Sequence, residues 1–114
     1  MNEFTEEIAV NRHEQNAEIA VRRTYENGVV YTSTLPIALN DAALLSGELA
    51  RFTRGEAVRT VHLSDSTIEL FTIDRSSMVN LEVKRVQDHP LGAYDTLSLS
   101  ADGAQRLIEK LRAQ

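Results

Sequence analysis

The chain has no cysteine, which excludes disulfides, thiolate metal sites and a cysteine nucleophile together. Its five glycines stand singly, so no glycine-rich loop is present to cradle a phosphate. The three histidines, His13, His62 and His89, are too far apart for local metal-ligand spacing, and no HExxH accompanies them. His62, Ser64 and Asp65 supply the residue types of a triad. Neighbours on a strand and turn point different ways, however, and the G-x-S-x-G elbow is missing. No apolar run approaches the roughly 18 residues of a membrane span. Residues 1–7 are acidic and polar, unlike a secretion signal. These absences lead us to expect a soluble, cytoplasmic, non-enzymatic protein without metal or cofactor.

What is there reads as one domain over residues 1–114, with ordinary globular usage: 42% hydrophobic, 25% charged. The net charge is −5, and its location matters more than its size. Residues 1–18 hold five acids (Glu3, Glu6, Glu7, Glu14, Glu18) against Arg12, so the remainder carries a balance of only −1. An acidic total disfavours long-range attraction to phosphate, while a near-neutral body still allows a local basic stripe.

Alternating apolar and β-branched residues predict strands over 7–12, 18–26 and 29–37. Asn27-Gly28 predicts a hairpin turn with both central residues at φ > 0. Pro36 cannot donate to a ladder, which places its stretch on an edge or at the strand's exit. Asn40 or Asp41 is expected to cap a helix over 42–53, whose face is Leu45, Leu49 and Phe52, widened by Leu44. Gly47 inside it costs about 1 kcal/mol relative to Ala, and Gly55 ends it in a left-handed conformation. Strands over 58–63, 67–73, 79–87 and 94–99 follow. Ser100 then caps a last helix that turns Leu107, Ile108 and Leu111 inward.

The fold class is therefore α+β: antiparallel sheet in two strands-then-helix repeats, residues 7–54 and 58–113, in a β3-α-β4-α plan. Displacing residues 18–52 by 62 positions lays them on 80–114 without a gap. Seven positions are then identical, among them Val21/Val83, Arg23/Arg85, Leu45/Leu107 and Leu49/Leu111.

Ile19-Ala20-Val21-Arg22, Glu26-Asn27-Gly28 and Pro36-Ile37-Ala38-Leu39 stand in the order Arg-bearing strand, acidic-Gly turn, strand end. The second half offers Leu81-Glu82-Val83-Lys84 and Leu97-Ser98-Leu99-Ser100. This arrangement resembles the transcriptional positive-cofactor-four and Whirly superfamily over roughly residues 18–52 and 80–112. The resemblance implies a Whirly-like duplicated fold that binds single-stranded DNA or RNA on its sheet. The chain departs from the family in having three strands before its first helix and no base between Arg23 and Arg51.

Strand alternation points Arg22 and Lys84 outward and sets Arg23 and Arg85 at the rim, with their heads in water. Under the nucleic-acid reading these four contact phosphates while Tyr31 and Tyr94 stack on bases. A second reading is a protein-binding module, such as an inhibitor, immunity or assembly factor. It would act through its acidic N-terminal segment or the exposed strands over 29–34 and 67–73. A basic stripe would favour nucleic acid, and an uncharged or acidic sheet face a protein. Open-edged repeats further predict a homodimer or higher homo-oligomer.

Overall fold

The computed structural model describes residues 4–64, 66–75, 78–86 and 96–113. They form an α+β structure of two antiparallel sheets and two helices. Strands β1 (Phe4–His13), β2 (Asn16–Tyr25) and β3 (Val30–Ala38) pair in the order β1-β2-β3. A 3-10 turn over Leu39–Asp41 leads into helix α1 (Ala42–Thr53). Strands β4 (Thr60–His62), β5 (Thr67–Arg75), β6 (Met78–Val86) and β7 (Thr96–Leu99) pair in the order β4-β5-β6-β7, and helix α2 (Ala101–Arg112) follows.

Alternation decides which face of each sheet is buried. Ile8 and Val10 on β1 stand opposite Val21 and Ile19 on β2, which in turn face Ser33 and Leu35 on β3. In the second sheet Val61, Ile68, Leu70, Val83 and Leu97 share the inner face. The helices add Leu45 and Leu49 from α1 and Leu107, Ile108 and Leu111 from α2, all buried. One apolar cluster joins these residues from both sheets and both helices. Helix α1 packs on α2, α2 lies along β1, and β7 lies against β3 and β2.

Both helices occupy the expected residues, and Gly55 has the expected left-handed φ of 86°. Ser100 caps α2, its Oγ accepting from Gly103 N at 2.9 Å. Three expectations are corrected. Asp41 stands at the N-terminus of α1 in helical backbone geometry and makes no cap. The 3-10 turn swings its carboxylate away to accept from Ser64 Oγ at 2.7 Å and from Ser64 N. Leu44 does not widen the buried stripe but lies on the exposed side of α1, at 46% exposure. At the β2–β3 hairpin only Gly28, at φ 85°, is left-handed. Gly28 N donates to Tyr25 O and Tyr25 N to Val29 O, giving a three-residue loop that ends in a glycine bulge.

Among the described residues no helix is long and apolar enough to cross a membrane.

Candidate interaction surface

The hydrogen-bond phase of the first sheet follows from its turns. Tyr25 pairs with Val29 through Tyr25 N, so the bonded pairs run Arg23–Tyr31, Val21–Ser33, Ile19–Leu35 and Ala17–Ile37. The amides and carbonyls of Val30, Thr32 and Thr34 therefore point away from β2. Pro36 falls in the same outward phase, where its missing N–H breaks no ladder. Its carbonyl accepts from Arg85 Nη2.

The opposite edge is differently furnished. On β1 the outward phase holds Phe4, Glu6, Ile8, Val10 and Arg12. Arg106 Nη1 of α2 donates to Glu6 O at 2.7 Å, so a helix side chain covers this edge. In the second sheet β4 is three residues long and β7 packs against the first sheet. The first half of β3 has no strand on its outer side among the described residues.

On β1, at the opposite edge, lies a buried carboxylate. The Glu6 side chain is 4% exposed and is met by Arg23 Nε at 3.1 Å and Arg106 Nη2 at 3.3 Å. Ser100 Oγ donates to it at 2.6 Å and Ser100 N at 3.2 Å. The carboxylate sits at the N-terminus of α2, where the helix dipole favours negative charge. Arg23 also stacks its guanidinium 4.4 Å from the centre of the Phe4 ring. Phe4, Tyr25 and Tyr31 continue as a ring series, with centroids 5.2 and 5.7 Å apart. Tyr31 closes the series at the rim, 62% exposed, beside exposed Val29 and Val30.

The residues expected to meet nucleic acid are placed as follows. Arg22 is exposed on the outer face, opposite Glu7 of β1 and Thr32 of β3. Arg23 is not at the rim with its head in water; it is buried, because Glu6 draws its guanidinium inward. Lys84 is half-buried, opposite Glu69 of β5 and Thr96 of β7. Arg85 is half-buried and turned to Pro36 O. Tyr31 is exposed, and Tyr94 lies outside the described residues. The outer face of the first sheet carries Glu7 and Glu18 against Arg22, with Thr, Ala and Asn between them. It bears no basic stripe. The acidic N-terminal segment is likewise no free tail from residue 4 onward, since it forms β1 and buries Glu6.

Among the described residues near His62, the Ser64 hydroxyl is turned to Asp41 and not to the imidazole. His62 is exposed beside Thr67, and Asp65 and His89 lie outside the described residues. Among the described residues no group of three His, Asp or Glu side chains is placed to hold a metal. At the far end of α1, hydrogen bonds from Arg51 and Arg54 hold the exposed Glu56 carboxyl below its ordinary range. That cluster is remote in sequence from the open edge.

Neither the protein-family models nor the curated proteins compared with this sequence match it.

Proposed function

We propose that the chain is a non-enzymatic protein-binding module that takes an extended, uncharged partner strand on the outer edge of β3. The observation that carries this reading is the open phase of Val30, Thr32 and Thr34 on a nine-residue strand without a charged residue. Proteins ordinarily guard such an edge with charges or cover it, as β1 is covered here. An added strand gains main-chain hydrogen bonds along the edge and side-chain contact with the exposed Val30 and Tyr31.

The acid-leaning outer face speaks against phosphate as the ligand, as do the partners of Arg23 and Arg85. Arg22 and Lys84 each stand in register with a glutamate.

The two-unit, Whirly-like plan draws support from register. A displacement of 62 residues carries the pair Thr5↔Thr24 onto Thr67↔Val86, so hairpins β1–β2 and β5–β6 have the same register. For the third strands Ile19↔Leu35 becomes Leu81↔Leu99, a slip of two that keeps every side chain on its face.

Two measurements test the function together. Fluorescence polarisation with labelled single-stranded DNA and RNA at low salt is expected to show no binding. A library of extended peptides is expected to yield binders that the parent retains and the Thr32→Pro variant loses. Oligonucleotide binding abolished by Arg22→Glu with Lys84→Glu overturns the reading.

A further inference from the structure

We infer that the strand received on β3 is β3 of a second copy, the two chains joining their first sheets into one six-stranded sheet across a two-fold axis at Thr32. This inference rests on the reading of β3 as a docking edge and names its occupant.

The argument is one of self-complementarity. An isologous interface requires a patch that matches itself when rotated by 180°. An antiparallel pair centred on Thr32 sets Thr32 opposite Thr32 of the second copy and Val30 opposite Thr34. These are the residues whose amides and carbonyls point outward. Each such pair exchanges two main-chain hydrogen bonds, so the three pairs across the axis make six. The same centring sets Gly28, where the chain turns, opposite Pro36, which has no donor. The ladder thus ends at both sides where its bonding capacity ends. Centring on Tyr31 or Ser33 would instead bring together groups already used by β2.

Charge permits the approach. β3 carries no charged residue, so two copies meet without like-charge repulsion, whereas β1 would bring Glu6, Glu7 and Arg12 to the seam. Side chains agree with the pairing. Tyr31 comes to lie beside Ser33 of the second copy on the inner face, which covers its exposed ring. On the outer face, Val30 meets Thr34, a β-branched pair.

The full-length chain tests this directly. Light scattering after size exclusion at tens of micromolar is expected to give twice the 12.7 kDa chain mass. Thr32→Lys sets two cations face to face at the axis and is expected to give monomer with an unchanged circular dichroism spectrum. Because the chain has no cysteine, a single introduced thiol reports position. A short bismaleimide is expected to join Thr32→Cys chains and not Thr5→Cys chains, which the assembled sheet holds more than about 24 Å apart at roughly 4.8 Å per strand. A monomeric parent overturns the inference, and so does a Thr32→Lys protein that remains dimeric. A monomeric parent that still binds peptides in a Thr32-dependent way overturns the self-pairing alone. A monomeric parent that binds oligonucleotides and no peptide overturns the docking edge as well.

Discussion

The Glu6 carboxylate fills the space that a side chain at Gly103 would need. A Cβ built on Gly103 overlaps Glu6 Oε1, and that oxygen is held in place by Ser100 and Arg106. Gly103 has ordinary helical geometry, so close approach and not backbone freedom demands glycine there. On helix propensity alone Gly103→Ala gains about 1 kcal/mol. In this protein it is expected to destabilise by about 1–3 kcal/mol, because the displaced carboxylate loses its hydrogen bonds. In a Glu6→Ala background the sign reverses and Gly103→Ala stabilises. Urea denaturation of the four proteins in that cycle checks both signs.

Glu6 is also the common anion of two arginines that differ in burial. The Arg23 side chain is 11% exposed and that of Arg106 37%. Removing the shared partner breaks a buried ion pair at Arg23, and breaking such a pair costs up to about 3–5 kcal/mol. Glu6→Ala is therefore expected to lower stability more than Arg106→Ala, because the partly exposed Arg106 guanidinium is partly screened by water. A double-mutant cycle on Glu6 and Arg23 is expected to show coupling above about 1 kcal/mol. Independent effects of the two substitutions would refute the shared anion.

The same strand holds the other end of the helix. Arg12 Nη2 donates to Lys110 O at 2.7 Å and to Ala113 O at 2.5 Å, filling carbonyls that the last turn leaves open. The six steps of strand from Glu6 to Arg12 span about 20 Å, and the thirteen steps from Ser100 to Ala113 span about 20 Å of helix. An acid at the helix N-terminus and a base at its C-terminus both complement the dipole. Arg12→Ala is expected to cost about 0.5–1 kcal/mol and to speed amide exchange in the last turn of α2, leaving α1 unchanged. Equal acceleration in both helices would contradict a local role.

Signals of short range were legible in the sequence. The Leu45–Leu49 spacing and the Ser100 cap give both helices, and alternation gives the strands, because each depends on residues a few positions apart. Partner choice was not legible. Glu6 and Ser100 are 94 positions apart, so nothing local distinguishes an arginine destined for Glu6 from one destined for water. Alternation alone therefore places Arg23 at the rim. Asp41 departs from the expected cap for a related reason: its side chain suits a cap, but Ser64, 23 residues on, takes the carboxylate. The open phase of β3 was half legible. Pro36 announced an edge, yet which amides face outward depends on the bulge at Gly28.

The tight turn between β1 and β2 carries strain that can be relieved. His13 pairs with Asn16, so Glu14 and Gln15 alone make the connection, and Glu14 takes φ 57°. It is the one residue other than glycine at positive φ among those described. A side chain with a Cβ pays roughly 1–2 kcal/mol there, whereas glycine adopts this region freely. Glycine also loses more chain entropy on folding, which returns part of that gain. The Glu14 side chain is exposed. Glu14→Gly is therefore expected to stabilise by about 0.5–1 kcal/mol, a rise in Tm of roughly 3–6 °C for a chain of this length. Glu14→Val, whose β-branched side chain tolerates positive φ least, should lower Tm instead. Thermal unfolding of the three proteins decides it: a glycine variant no more stable than the parent would mean that the turn holds no strain.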